Sequence, residues 1–165
     1  MACLALQDRA GVDVNLLMFA LWHGVSGRGR LGRKALGRIA GAVSVWQGRV
    51  AAPLRDLRRR LKLVVENPAL GPLAWPISGL RAEVKRLELE AERIEQAMLF
   101  SMAGSPLRPS IGAGARSRAA RENVTRYLEI VAPKFDRGLV RELATFVDAL
   151  DRRKRLKRKS DSGPG

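Results

Sequence analysis

The chain has 165 residues and carries 31 Lys and Arg against 16 Asp and Glu, which gives a formal net charge of +15 at pH 7. Apolar residues make up 46% of it, which excludes a disordered composition, and the length suffices for one domain with a modest core. A single cysteine and a single histidine exclude an internal disulfide and disfavour a zinc site or histidine-dependent catalysis.

Two helices are predicted at the start of the chain. The first runs from Ala2 to Arg9, has no N-terminal cap, and is ended by Gly11 in a left-handed conformation. Asp13 is the expected N-cap of the second, which runs from Val14 to about His23 and is apolar on nearly every side, so it is predicted to lie in the core. The longest apolar run, Leu16 to Trp22, is too short to cross a bilayer, and a signal peptide is not recognised. We therefore expect a cytoplasmic protein.

A basic, glycine-rich loop over residues 26–34 is predicted to precede a long helix. The apolar residues of that helix alternate in spacings of three and four, and the pattern keeps its phase across Pro53. Because proline distorts a helix, we expect one helix kinked at Pro53 or two nearly coaxial helices. The stripe consists of Leu36, Ile39, Val43, Trp46, Val50, Leu54, Leu57, Leu61 and Val64.

Proline and glycine predict a loop from Asn67 to Ser78, with Trp75 folded back onto the bundle. A further apolar stripe, Leu80 to Met98, predicts a bundle helix packed antiparallel against the stripe between Val50 and Val64. This pairing would form the core of a helical bundle.

The remaining pattern predicts a loop from Gly104 to Arg116 and two shorter helices, from about Ser117 to Val131 and from about Gly138 to Arg155. The expected fold is therefore all-α: a compact helical bundle of about five or six helices, with a long kinked helix and a basic C-terminal tail. Residues 1–155 are predicted to form a single domain, and residues 156–165 a disordered tail.

The positive charge is concentrated in two segments. Eleven basic residues and one acidic residue lie between Ser26 and Lys62, and seven basic residues lie between Arg152 and Lys159. Such clusters favour a polyanion. Motifs that read bases are not found, so any nucleic-acid binding would be non-specific or directed at shape. An anionic membrane surface and a merely arginine-rich composition are the alternatives. The candidate polyanion-binding residues are Arg28, Arg30, Arg33, Lys34, Arg49, Arg55, Arg58, Arg59, Lys62, Arg152, Arg153, Lys154, Arg155 and Lys157.

The loop sequence Gly27-Arg28-Gly29-Arg30-Leu31-Gly32 formally matches G-x-G-x-x-G. A dinucleotide site is not favoured, because a strand does not precede the motif and an acidic residue does not follow at the proper distance. The segment is interpreted as a basic arm before a helix N-terminus or as a plain connector. His23 lacks neighbours that would make a catalytic triad and is predicted to be a packing residue or partial cap.

Two polar groups remain. The first group, around Asp13, could form a small pocket near the turn between the first two helices. Its residues could instead serve only to cap a helix and to satisfy backbone groups, and this capping interpretation is favoured. The other is a run of carboxylates predicted to form a solvated helix face, because di-iron bundles need histidine partners that the chain lacks. We expect no metal and no cofactor. The first group is Gln7, Asp8, Asp13 and Asn15, and the second is Glu83, Glu88, Glu90, Glu92 and Glu95.

The stretch CLALQDRAGVDVNLLMFALW, from Cys3 to Trp22, carries a family resemblance together with Trp46-Gln47, Pro53-Leu54-Arg55 and Leu61-Lys62. It resembles an uncharacterised proteobacterial family classed only as a domain of unknown function. Members usually have an aromatic-rich helical segment before the Cys-Leu pair, so part of the usual core is expected to be missing here. The resemblance implies an all-helical cytoplasmic protein and supplies no catalytic residue.

Three hypotheses for function follow. The first is a non-enzymatic helical binding or adaptor protein whose basic surfaces engage an acidic partner, such as RNA, a ribonucleoprotein or an acidic protein. The second is a small-molecule binder or small enzyme with a pocket at the polar group around Asp13. The third is a homo-oligomeric structural protein that uses the Leu80–Met98 seam.

Overall fold

The computed structural model describes residues 12–105 and 112–131, and every regular element within these ranges is helical. The predicted all-α class is confirmed. With the segments from Arg33 to Val65 counted as one continuous helix, the described residues hold four long helices, a little fewer than the five or six predicted. The predicted helices at residues 2–9 and 138–155 and the tail at 156–165 lie outside the described residues. The elements are α1 (Val14–Val25), α2 (Arg33–Trp46), a π-helical turn (Gln47–Ala51), α3 (Ala52–Val65), a 3₁₀ helix (Pro68–Leu73), α4 (Ala74–Ser101) and α5 (Ala113–Val131).

Contacts divide the chain into two units, which we call the first and second unit. The first comprises Met1–Arg38 and Met102–Gly165, and the second comprises Ile39–Ser101. The predicted single domain over residues 1–155 stays a prediction. None of the described helices combines the length and the apolar character that crossing a bilayer requires.

The first unit is built on the packing of α1 against α5. Asp13 caps α1 as predicted: its Oδ1 accepts the backbone N–H groups of Asn15 at 2.9 Å and Leu16 at 3.2 Å. The helix continues past its predicted end at His23, because Gly24 lies inside it and faces α5. A Cβ atom at Gly24 would stand 2.2 Å from the backbone nitrogen of Ala120. Glycine therefore permits a close approach of two helices here and does not end the helix.

The long helix of the second unit is continuous, and its irregularity lies just before Pro53. Over Gln47–Ala51 the backbone forms a π-helical turn, in which the N–H of Ala52 donates to the carbonyl of Gln47. Proline has no N–H, and in an α-helix its ring would collide with the carbonyl four residues earlier, here that of Arg49. The wider turn accommodates the proline ring, so the helix continues on both sides of it.

Helices α3 and α4 pack together, as predicted. Their pairing runs antiparallel: Arg55 Nη2 reaches Glu92 at 3.1 Å, and the later residue Arg58 reaches the earlier Glu88. The predicted seam on α4 is wrong in part. The buried positions are Val84, Glu88, Ala91, Glu95 and Leu99, whereas the predicted seam residues Leu80, Leu87 and Ile94 are exposed.

Helical structure also replaces parts of two predicted loops. Helix α4 begins at Ala74, because Pro76 falls in its first turn, where the backbone N–H has no helical partner to lose. Trp75 is 86% exposed, which contradicts its predicted packing. Helix α5 begins at Ala113, four residues before the predicted start, with the Gly112 carbonyl accepting from Ala115 and Arg116.

Candidate functional site

The basic loop between α1 and α2 is fixed by one buried side chain of α5. Asn123 is fully buried, and its Oδ1 accepts the N–H of Leu31 at 2.7 Å. Its Nδ2 donates to the carbonyls of Ala20 at 3.2 Å and Gly29 at 3.1 Å. One amide therefore satisfies three backbone groups of α1 and the loop, and the loop is a defined structure rather than a plain connector.

His23 also contributes to this loop. Gly27 and Gly29 adopt φ values of 84° and 90°, a region that favours glycine. The turn they allow places the Gly29 carbonyl 3.2 Å from His23 Nδ1. Burial lowers the pKa of His23, so the neutral ring is favoured and the contact assigns the Nδ1–H tautomer as donor. The structure thus gives His23 a packing role.

The basic residues of the loop and of the first turn of α2 differ in their surroundings. The Arg28 guanidinium lies over the Trp22 ring, 4.3 Å from the ring centroid. The Arg28 Nε–H donates to the carbonyl oxygen of Gly104 at 3.1 Å, so this residue holds the loop in place. Arg30 pairs with Glu122 at 2.8 Å, yet 61% of its side chain is exposed. Arg33 pairs with Glu129 at 3.7 Å and Lys34 is exposed as well. Such exposed pairs exchange readily with an external anion.

A second cluster of arginines, on α5, lies beside this loop. Arg116 and Arg118 line a shallow cavity of about 230 Å³ together with Arg30 and the backbone of Gly27 and Gly29. The sequence prediction missed these α5 residues, because residues two positions apart on a helix do not share a face and their spacing carries no local signal. Arg30, Arg116 and Arg118 line the cavity, and the exposed Arg33 and Lys34 follow Arg30 closely in the chain. We call these five residues the basic face.

The described part of the first unit is the more basic of the two. It contains nine Lys and Arg against three Asp and Glu, whereas the second unit contains ten against seven. The positive potential is therefore expected to be strongest around the cavity of the first unit.

Two predicted polyanion-binding arginines of the second unit are enclosed in a polar cluster. Glu88 is buried and pairs with both Arg55 and Arg58. Only 11% of the Arg55 side chain is exposed, and the hydrogen bond to Glu88 raises the pKa of Arg58. The predicted solvated carboxylate face is wrong for Glu88 and Glu95, because both side chains are buried and Glu88 faces the arginines of α3.

The other predicted basic residues divide by location. Arg49 and Arg59 are exposed on the long helix, and Lys62 lies 3.6 Å from Glu66 on the same helix. The tail candidates Arg152, Arg153, Lys154, Arg155 and Lys157 lie outside the described residues.

The structure brings together only part of the predicted polar pocket. The carboxylate of Asp13 is used in capping α1, and its backbone N–H and carbonyl both bond the Tyr127 hydroxyl, at 3.1 and 3.2 Å. Asn15 is half-buried in the first turn of α1. Gln7 and Asp8 lie outside the described residues, so the pocket stays a prediction.

The site and the fold define a class: an all-α protein with a basic face built by two segments distant in sequence. Over residues 12–105 and 112–131 the structure contains no group of three or more His, Cys, Asp or Glu side chains that could hold a metal ion.

Residues 1–99 match the family described as "Protein of unknown function (DUF2390)", and the chain belongs to this family. No curated protein and no solved structure matches significantly. Helix α5, with Arg116, Arg118 and Asn123, follows the matched residues.

Proposed function

We propose that the protein is a non-enzymatic binding or adaptor protein of the cytoplasm whose basic face engages an acidic macromolecule. The observation that carries the proposal is the convergence of Arg30 with Arg116 and Arg118 around one open cavity. Two segments nearly ninety residues apart in sequence contribute positive charge to the same place.

The chemistry of the face suits an extended anion. The exposed guanidinium groups of Arg30 and Arg118 can bond phosphate or carboxylate oxygens in pairs. Arg30 and Arg33 keep most of their side chains in solvent despite their ion pairs. RNA, a ribonucleoprotein or an acidic protein would each offer such an array of anions.

Affinity purification of the full chain from its native host, with and without nuclease and at two salt concentrations, tests the proposal. Nuclease-sensitive recovery of RNA identifies a nucleic-acid partner, whereas a nuclease-resistant acidic protein identifies a protein adaptor. If no acidic partner is recovered even at the lower salt concentration, the proposal is contradicted, because contacts with a polyanion are strongest at low salt.

A charge-reversed variant locates the site. Lys34→Glu with Arg118→Glu reverses two exposed charges of the basic face, and Lys85→Glu with Arg93→Glu is the matched control on α4. If the partner is RNA, losing two phosphate contacts is expected to make the negative slope of log K against log salt shallower by about 1.4 for single strands. Equal binding by both variants would exclude the basic face as the site.

A further inference from the structure

The turn of the hairpin formed by α3 and α4 exposes large apolar side chains. Helix α3 ends at Val65 and α4 begins at Ala74, and the 3₁₀ helix between them packs against both. At this end of the hairpin Trp75 is 86% exposed, Leu63 69% and Leu73 54%; we call these three residues the apolar tip. Single exposed apolar residues are ordinary, whereas a group that includes a largely exposed tryptophan marks a site of interaction.

The place of Trp75 in α4 directs its side chain toward the end of the hairpin. The Cα–Cβ bonds of an α-helix tilt toward the N-terminus of the helix, and Trp75 is the second residue of α4. Its ring therefore leans toward the turn instead of back along the helix. The exposed Pro72 and Pro76 lie on either side of it in the chain. Because proline restricts the backbone, they hold the ring on a rigid base.

The backbone of the turn suits surroundings that contain little water. The N–H of Asn67 donates to the carbonyl of Val64 at 3.2 Å, and Pro68 has no N–H. The N–H of Ala69 donates to Asn67 Oδ1 at 3.0 Å, and that of Leu70 donates to the Asn67 carbonyl at 3.1 Å. Hydrocarbon offers no hydrogen bonds, so a segment that enters it must satisfy its own donors, as this turn does.

Positive charge lies just behind the apolar tip. Four basic residues and one acidic residue fall between Arg59 and Ala82. Arg60 and Lys62 are exposed and stand five and three residues before the end of α3. At 1.5 Å per residue they lie about 4–8 Å behind it. Lys62 is 3.6 Å from Glu66, but both side chains are mostly exposed, so this pair contributes little and leaves the charge available.

We propose that the apolar tip inserts into the surface of a lipid bilayer that carries anionic headgroups. An interfacial apolar segment sinks about 5–10 Å into the boundary between headgroups and acyl chains. At that depth Arg60 and Lys62 stand level with the lipid phosphates, and Trp75 lies in the interfacial region where tryptophan is enriched. The inference goes beyond the proposed function and concerns a different surface, in the second unit.

The shape of the tip favours a bilayer over a protein surface. A stable protein interface needs a partner of complementary shape around a desolvated centre. The end of a helical hairpin is convex and narrow, about two helix diameters or about 20 Å across. A deformable lipid surface accepts such an end without a matching groove. Anionic headgroups also supply the opposite charge that the exposed residues Arg59, Arg60 and Lys62 require; we call these three the basic collar.

Flotation of the full chain with lipid vesicles tests the proposal. The wild type is expected to bind phosphatidylcholine vesicles that contain about one third phosphatidylglycerol, and to bind pure phosphatidylcholine weakly. Trp75→Ser is expected to lower the partition coefficient for anionic vesicles at least about 10-fold. Leu89→Ser is the matched control, because Leu89 is 47% exposed in the middle of α4. A wild type that does not bind anionic vesicles, which would leave a protein as the occupant, overturns the proposal, and so does equal binding by both variants.

Charge removal tests the basic collar. Arg60→Gln with Lys62→Gln is expected to weaken binding to anionic vesicles about 5-fold for each charge. Lys85→Gln with Arg93→Gln is the matched control, since both residues are exposed on α4. Lys85, the nearer of the two, lies eleven residues into that helix, about 16 Å from its start and therefore about two Debye lengths away. Equal losses in the two double variants overturn the proposed orientation.

A fluorescent label separates insertion of the tip from attraction through the basic face. In a Cys3→Ser background, a polarity-sensitive dye is attached to Leu73→Cys, with Leu89→Cys as the control. On anionic vesicles the emission of the dye at residue 73 is expected to shift to the blue and to be quenched by brominated lipid, unlike that at residue 89. If the protein binds vesicles while the dye at residue 73 stays in water, insertion is overturned, and the proposed function of the basic face is unaffected.

Discussion

Replacing Gly24 by alanine tests the helix contact on which the first unit is built. The added Cβ would lie 2.2 Å from the nitrogen of Ala120, 2.3 Å from its Cα and 2.8 Å from the carbonyl carbon of Ala119. Non-bonded carbon atoms are comfortable from about 3.5 Å, so α1 and α5 would have to separate locally by about 1.3 Å. All three atoms belong to the α5 backbone and cannot turn away as a side-chain end can.

The expected cost follows from two opposing effects. Overpacking of this kind costs about 1–3 kcal/mol and at times more, and contacts with backbone atoms place Gly24→Ala at the upper end. The gain in helix propensity from glycine to alanine returns about 1 kcal/mol at most. A net loss of about 2 kcal/mol is therefore expected, which lowers Tm by about 4–8 °C in a chain of this size.

Thermal unfolding followed by circular dichroism measures this change, with Gly41→Ala as the control. Gly41 lies within α2, and a Cβ there would meet nothing within 4 Å, so that variant should be more stable by about 0.5–1 kcal/mol. The two glycine substitutions are thus expected to shift Tm in opposite directions. A Gly24→Ala protein that melts at or above the wild-type temperature would refute the close packing of α1 on α5.

Three further predictions concern buried polar groups. Asn123→Ala leaves the N–H of Leu31 without its partner and should lower the free energy of unfolding, measured in urea, by about 2–4 kcal/mol; a loss below about 1 kcal/mol would contradict the proposed role of Asn123. Glu88→Gln removes the charge shared by Arg55 and Arg58 and should cost about 2–3 kcal/mol, with Glu90→Gln as the exposed control; equal effects of the two would count against a buried ion-pair cluster. The pKa of His23 in the folded chain lies below its ordinary value of 6.5, so the unfolded chain binds the proton more tightly. The free energy of unfolding is therefore expected to fall as the pH drops below about 6.5. Urea titrations at several pH values measure this dependence, and His23→Gln should flatten it.

Local sequence patterns predicted much of the helical fold. The capping of α1 by Asp13 depends on residues two and three positions away, and the periodicity of the long helix depends on neighbours three and four positions apart. Such short-range effects can be recognised in one sequence, because the residues that cause them are adjacent in the chain. The predicted end of α1 was wrong at Gly24, since glycine serves both to end helices and to let them approach.

The relation between distant segments could not be predicted in the same way. Apolar spacing identified a stripe on α4, but the buried positions of α4 include Glu88 and Glu95, and Arg55 and Arg58 of the facing helix stabilise the buried carboxylate of Glu88. Periodicity reports that a helix has an apolar side and does not report which partner covers it. For that reason, the prediction that Leu87 and Ile94 lie in the hairpin seam is wrong, and both side chains are exposed.

The sequence by itself determined the all-α class, the cap of α1, the continuity of the long helix across Pro53 and the concentration of positive charge. Only the tertiary structure decided which positive charges are available to a partner. It places Arg55 and Arg58 on a buried carboxylate, and it brings Arg116 and Arg118 of α5 to the loop that Asn123 holds. The physical reason is the range of the interactions: helices form through bonds between near neighbours, whereas ion pairing and burial depend on side chains that meet only after the chain has folded.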